Sequence, residues 1–463
     1  MIDHALLQQS FNENSFLKDK KWKTSPSPLF LPPNITNQLN NIGTACFDFL
    51  QSIKKLYHSS KNNKSILRNK KLILPWVAEY LDRGKTNSLL NHSNLDSFKN
   101  TIPTIIRPDL LLTEDQIYMT ELEVVPGGIG LTSFLLQIYE NQFNNLIGSS
   151  SKMLHGFYDS LTNLSRNKTS PTISILVSDE SQTYQPEFLW LANQLKLLGK
   201  NVYCVNPKTI YYENSKLKTL INGKIIEIDI IYRFFELFDL DNIPTIPTII
   251  QAIEDGNATV SPPLNPIFEE KLSMALFHHY QLQDFWKESL PKHSFQILKN
   301  IIPPTWIIDA QPFGPNAMLN GPLIENKPLN SWNELTEAKQ KNRNYIIKRS
   351  GYNKDAWGAR SVTVGNDCNQ ETWTQSIALA INQSKTSPFI IQEFKKPKKI
   401  LHPTYNPQGE ITEEPGRVRL CPYYMKNGDH IEINGILATI CPADKKIIHG
   451  MSVATFVPCA VCN

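Results

Sequence analysis

The sequence predicts a mixed α/β protein: a helical N-terminal layer, a strand–helix–strand unit in the middle and a strand-rich last third. Three observations predict it. Helix-like patches with apolar residues at three- and four-residue spacing, TACFDFLQSIKKLYH (44–58) and ILPWVAEYLDRG (73–84), dominate the first 100 residues after a Pro-rich lead-in at 25–33. From 171 a short apolar strand, PTISILVSDE, is followed by the Gly-closed helix EFLWLANQLKLLG (187–199) and another strand, NVYCVNP, the spacing of a parallel α/β unit. Beyond 345 come YIIKRS, FIIQEF, RVRLCPYYM and HIEINGILATIC, all strand-like.

The remaining elements fill the gaps. TIIRPDLLL and IYMTELEVV, joined by the polar TEDQ, read as a hairpin, and 133–166 reads as helical. KLKTLINGKIIEI reads as a second hairpin, DIIYRFF as a further strand, and EEKLSMALFHHYQLQDFWK (269–287) as one long helix.

Composition narrows the function. With 463 residues, 41% hydrophobic and 19% charged, the chain is long enough for two or three domains. A net charge of +4 gives no reason to expect nucleic acid or a membrane surface as a partner, and no apolar run reaches a bilayer-spanning length. Seven cysteines and an N-terminus without a basic-then-apolar leader suit the cytoplasm. Cys459 and Cys462 form one CxxC, but the other spacings are irregular, so buried or reactive thiols are expected rather than zinc. No amphipathic stripe speaks to oligomeric state.

Chemistry concentrates in short stretches. Residues i and i+2 of a strand share a face, so Arg107 and Asp109 form one pair on the first hairpin, and Glu121 and Glu123 another. Carboxylates gathered on one sheet surface call for a cation, and Mg²⁺ takes one or two carboxylates plus phosphate oxygens. The same charges solvated on an exposed face are the alternative. YIIKRSGYNKDAWGARSVTVG (345–365) offers Lys348 on a strand, then Gly351 and Gly358, which suit either a phosphate-approaching loop or a plain hairpin. FIIQEFKKPKK stops at Gln392-Glu393-Phe394, either a nucleotide-reading hinge or an edge strand with a solvated basic tail. RVRL places Arg417 and Arg419 two apart, either gripping phosphate or merely exposed. His449 reads as a structural histidine rather than a catalytic one.

Taken in this order, the stretches resemble the circularly permuted ATP-grasp ligases, the group that includes glutathionylspermidine synthetase. The resemblance covers roughly residues 100–463. It aligns RPD and ELE with that family's Arg-x-Asp and Glu-x-Asn strands, with Glu123 where the family has Asn. It further aligns DIIYRFFEL with its D-x-x-Y-R strand, and the segment 255–279, bearing Lys271, with its loop and helix. Lys348 matches the first residue of its nucleotide loop and Gly358-Ala359 the second glycine of that loop. Gln392, Glu393 and Phe394 match the hinge, and Arg417 or Arg419 the phosphate-facing arginine. The second ATP lysine has no clear counterpart, Lys299 being the nearest.

The resemblance implies two α+β lobes clasping ATP, with an inserted parallel α/β domain at 171–260 that binds substrate. Residues 101–170 and 261–463 would build the ATP-grasp fold, and 1–100 stay unassigned. It implies ATP and Mg²⁺ (one or two ions) as cofactors, Asp109, Glu121 and Glu123 as metal ligands, and Arg107 with Arg417 or Arg419 as catalytic cations. The substrates would be a small-molecule or peptide carboxylate and an amine or other nucleophile. Tyr184, Glu187, Tyr232, Arg233 and Glu236 are polar candidates for holding them. Two other functions compete: a nucleotide-binding module that has lost turnover, and a kinase or phosphohydrolase on the same scaffold.

Overall fold

The computed structural model describes residues 1–14, 16–17, 20–165, 169–310, 320–356, 360–450 and 453–462. The largest sheet has seven strands. Its order is Leu29–Leu31, Thr455–Val461, His430–Pro442, Ile411–Asn427, Ile105–Leu112 and Ile117–Glu123, with Lys399–Tyr405 alongside the first half of Ile411–Asn427. That 17-residue strand changes partner midway along one edge: residues 411–417 face 399–405, and 419–425 face 105–112. All pairings in this sheet are antiparallel except that of Leu29–Leu31 with Thr455–Val461.

The predicted acidic hairpin forms as Ile105–Leu112 and Ile117–Glu123, with an irregularity after Asp109. The register sets Arg107 opposite Glu123 and Asp109 opposite Glu121. Cross-strand neighbours are about 5 Å apart at Cβ, so these four side chains form one compact square.

A four-stranded parallel sheet follows in the order Thr259–Ser261, Ile230–Phe234, Ile173–Val177 and Val202–Val205, as the strand–helix–strand spacing predicts. Its helix, Gln185–Leu197, ends before Gly199, whose φ of +75° suits a glycine terminator. The hairpin Lys216–Ile221/Lys224–Ile228 turns through Asn222 and Gly223, both at positive φ. A second four-stranded sheet, antiparallel, runs Thr305–Ile308, Phe389–Glu393, Tyr345–Arg349 and Thr363–Val364. Its last strand, Thr363–Val364, is short and pairs with Ile346 and Ile347.

Two helix expectations are corrected. The stretch 269–287 is not one helix but a 3₁₀ turn, Pro266–Glu269, then Leu272–His278, a second 3₁₀ turn and Gln283–Ser289. His279 is extended, and side chains replace the helical bonds that its break removes. The Trp286 indole donates to Leu276 O at 2.9 Å, and the Gln283 amide to Phe277 O at 2.8 Å. The helical reading of 133–166 likewise splits into Ile129–Tyr139 and Ser150–Thr162. Between them Gly148, at φ +90°, approaches the sheet so closely that a Cβ there would lie 2.1 Å from Asn434 O.

The N-terminal residues belong to the main core. Helix Pro33–Lys61 buries Leu39, Phe49 and Tyr57 in the same apolar cluster as the large sheet. Gly43 faces the Tyr424 ring, and the Tyr424 hydroxyl donates to Leu39 O at 2.5 Å. Among the described residues no helix is long and apolar enough to cross a membrane.

Candidate functional site

Three sheets meet at one cavity of about 510 Å³. The large sheet supplies Arg107, Asp109, Glu121, Glu123 and Arg419; the antiparallel sheet supplies Lys348, Gln392, Glu393 and Phe394; and residues after the carboxyl ends of the parallel strands supply Tyr184, Phe235 and Glu236. Open α/β sheets bind ligands beyond the carboxyl ends of their strands, where these last residues sit.

Asp109 has both oxygens engaged. Arg107 Nε donates to Oδ1 at 3.0 Å and Arg419 Nη1 to Oδ2 at 2.7 Å. Burial alone would raise this carboxyl, but the two guanidinium groups outweigh burial and hold it below the usual carboxylate range. Glu121 is 2.5 Å from the Lys271 ammonium. Glu123 is pushed up to about 8, first by burial and then by the adjacent Glu121. Three cations, Arg107, Arg419 and Lys271, thus face the hairpin's three carboxylates.

Lys348 Nζ donates to Thr120 O and to Gln392 Oε1, both at 3.0 Å, tying the antiparallel sheet to the acidic hairpin. Burial lowers this amine to about 8. The Gln392 amide nitrogen donates to Thr305 Oγ1 at 2.9 Å, so its side chain is spent on internal bonds, while Glu393 and Phe394 continue along the cavity wall.

The Pro126-Gly127-Gly128 turn explains its own sharpness. Gly128, at φ +85°, starts helix Ile129–Tyr139, and a Cβ there would lie 2.4 Å from the Tyr423 hydroxyl. Gly127 O accepts from Arg107 Nη1 at 2.9 Å and from the Tyr423 hydroxyl at 2.8 Å. Glu187 caps that helix, its Oε1 accepting from Gly130 N at 2.9 Å. Burial raises Glu187 to about 7, even though backbone N–H groups favour its charged form.

Not every expected residue reaches the cavity. Arg417 does not line it; Nε donates to Ala443 O at 2.9 Å and Nη1 to Pro397 O, so the guanidinium ties loops together. Gly351 lines a smaller neighbouring cavity of about 60 Å³, with Glu121, Glu123 and Glu270. Gly358 and Ala359 lie outside the described residues. Lys299 is exposed on helix Lys292–Ile301. Tyr232 and Arg233 are fully buried, Arg233 paired with Glu269 rather than open to a ligand. His449 lines the cavity, lowered by burial and then by Arg419.

Among the described residues no group of three or more His, Cys, Asp or Glu side chains is placed to hold a metal ion. All seven cysteines are free, Cys46, Cys421, Cys441 and Cys459 being buried. Lys271, which the resemblance places on a helix after a loop, joins two elements: besides Glu121, it reaches Ala356 O at 2.9 Å. No spacing in the sequence marks such a contact across 150 residues (121 to 271).

No protein-family model matches the chain, and no curated protein matches it. Solved structures do. A glutathione synthetase-like effector from Globodera pallida, in apo form, aligns over 100% of this chain and 98% of its own, with a TM-score of 0.56 and 10% identity. A putative gamma-glutamylcysteine synthetase from Methylobacillus flagellatus aligns over 94% and 89%, with a TM-score of 0.45 and 12% identity. At 10% identity the first likeness is one of fold, mixed α/β across the full length of both chains.

Proposed function

We propose that the chain is an ATP-dependent ligase of the ATP-grasp type, joining a carboxylate to an amine or another nucleophile through an acyl phosphate. The acidic hairpin precedes the nucleotide strands in the sequence, the order of a circularly permuted member of that group. One observation carries the proposal: Lys348, the Glu393–Phe394 strand exit, the Glu121–Glu123 pair and Arg419 converge on a single cavity although they come from separate strands of two sheets.

The 510 Å³ cavity is large enough for a nucleotide with part of a second ligand. ATP would lie between the two lobes, its base against the strand exit and its phosphates toward Lys348. Glu121 and Glu123, neighbouring carboxylates on one strand face of the cavity wall, would hold Mg²⁺. Asp109, already held by two arginines, would orient Arg107 and Arg419. Two carboxylates with phosphate oxygens are a common Mg²⁺ ligand set. Bound there, Mg²⁺ would offset charge on the β- and γ-phosphates.

Catalysis by these residues is positioning and electrostatics. Lys348 and Arg419 would hold the transferring phosphoryl group while a substrate carboxylate attacks phosphorus and ADP leaves. The amine then attacks the acyl carbon, releasing phosphate. Tyr184 and Glu236, at the parallel-sheet side of the cavity, would hold the acceptor. The engaged state of Asp109 favours the second reading, a nucleotide-binding protein without turnover.

The deciding test is a thermal shift with ATP and Mg²⁺, followed by phosphate release across a panel of carboxylates and amines. Ligand binding to the native state raises the melting temperature by mass action. A Mg²⁺-dependent shift with carboxylate-dependent phosphate release supports the ligase. A shift with no turnover supports the second reading, and no shift at millimolar ATP rejects both.

A further inference from the structure

The floor of the large cavity changes character along the main sheet. Two rows of cross-strand neighbours line it. One runs Asp109, Cys421 and Leu437; the other runs Leu111, Arg419, Thr439 and Phe456. Both start on the acidic hairpin and end on an apolar side chain. Segments outside these strands enclose the apolar end. The Trp22 ring packs on Phe456 with 4.4 Å between centroids, and residue 450 passes over the same ring, since a Cβ on Gly450 would meet it at 3.4 Å. Phe16, Leu131 and Ile448, all buried, add further apolar surface to the cavity.

Two buried polar atoms on this floor have no hydrogen-bond partner among the described residues: Arg419 Nε and Thr439 Oγ1. Arg419 Nη1 is taken by Asp109 at 2.7 Å, and Thr439 is 0% exposed. The two residues are register neighbours, about 5 Å apart at Cβ. Buried polar groups are satisfied in the great majority of cases. An unsatisfied guanidinium N–H beside an unsatisfied hydroxyl therefore marks the seat of an acceptor. A carboxylate fits it best, because both groups can donate to its oxygens and charge strengthens such bonds.

We propose that the acid accepted by this site is aromatic, with its carboxylate on Arg419 and Thr439 and its ring on Phe456 and Trp22. This assignment rests on the ligase reading above and names the class of acid whose carboxylate receives the phosphoryl group. The row order sets the alignment: the reacting end lies beside Arg419, toward the acidic hairpin, and the ring points away from it. Aromatic rings gain from tilted and edge contacts beyond the area they bury, which an alkyl chain does not. A dicarboxylate would instead leave its second charge on apolar surface without a partner. The N-terminal residues, to which the resemblance gives no role, thereby supply part of the substrate wall through Trp22.

Titration calorimetry on the full chain, with a non-hydrolysable ATP analogue and Mg²⁺ present, tests this. It compares 3-phenylpropionate with succinate, which carries a second carboxylate in place of the ring. Expected is at least about tenfold tighter binding of 3-phenylpropionate. Trp22→Ala should remove most of that preference by weakening the aromatic acid alone. Should this variant not fold, Trp22→Leu keeps apolar bulk without the ring and carries the same expectation. Thr439→Val keeps the shape and removes the hydroxyl, and should weaken 3-phenylpropionate more than the uncharged 3-phenylpropanol. Succinate binding as tightly as 3-phenylpropionate, or equal losses of both acids in the Trp22 variants, would overturn the assignment, as would binding of neither acid. The two readings fail separately. Nucleotide binding with no preference for the aromatic acid overturns only the aromatic site, whereas binding of 3-phenylpropionate without any nucleotide binding overturns the ligase reading and supports the aromatic site.

Discussion

The Lys271 ammonium lies 2.5 Å from Glu121 Oε1, on a helix-leading segment 150 residues downstream of the acidic hairpin (121 to 271). Glu121 and Glu123 then raise this lysine above its ordinary range although burial acts the other way. Lys271 thus stands where a divalent cation would compensate the same two carboxylates. Replacing it as Lys271→Met should destabilise the protein by somewhat less than the roughly 3–5 kcal/mol lost when a fully buried pair is broken. The loss is reduced because the Glu121 side chain keeps 29% exposure. Millimolar Mg²⁺ should restore part of it. Melting curves with and without Mg²⁺ check this, and a deficit untouched by Mg²⁺ would count against metal binding at the pair.

Glu123 gives a pH dependence of definite sign. Its folded-state value of about 8 lies above the ordinary 4.5, so the native state holds more protons than the unfolded state across that interval. Stability contributed by protonated Glu123 is present below about 4.5 and is lost as pH rises toward 8. Glu123→Gln should therefore gain stability relative to the unaltered protein between pH 5 and 8, as denaturant titrations at several pH values would show. A constant difference over that range would disprove the shift.

Lys348 bridges the two sheets through Thr120 O and Gln392 Oε1. Lys348→Met should keep the apolar stem and lose the charge, lowering ATP affinity by at least about tenfold, or roughly 1.4 kcal/mol. Because burial sets the amine near 8, ATP affinity of the unaltered protein should also fall as pH passes that value. The variant should lack this fall. Parallel titrations at pH 7 and 9 suffice.

Two glycines separate strain from collision. Gly223→Ala meets open space, with nothing within 4 Å, and should cost only the left-handed backbone penalty of about 1–2 kcal/mol. Gly128→Ala adds a collision with the Tyr423 hydroxyl at 2.4 Å and should cost clearly more. It should also weaken ligand binding, since the Tyr423–Gly127 bond lies in the cavity wall. Equal costs in urea unfolding would refute the distinction.

Much of the site is legible because strand periodicity is local. Arg107 with Asp109, and Glu121 with Glu123, declare a shared face from spacing alone, and the register then sets them opposite each other. Lys348 and Gln392 were likewise visible as polar residues within apolar strands. Tertiary contacts were not. Arg417 and Arg419 have the same spacing signature, yet only Arg419 meets Asp109, because Arg417 reaches carbonyls at 397 and 443 first. Lys85 and Glu270 lie in unremarkable polar runs 185 residues apart, yet their side chains pair. The helix expected over 269–287 failed for a related reason: its apolar spacing is helical throughout, while the break at His279 is compensated by Trp286 and Gln283 side chains.

The parallel pairing of Leu29–Leu31 with Thr455–Val461 has a consequence for biosynthesis. Leu29 sits opposite Cys459, so one edge of the main sheet joins segments 430 residues apart in the chain (29 to 459). At about 5–20 residues per second, the early strand waits tens of seconds for its partner. Through that interval it offers unpaired backbone edges to other nascent chains.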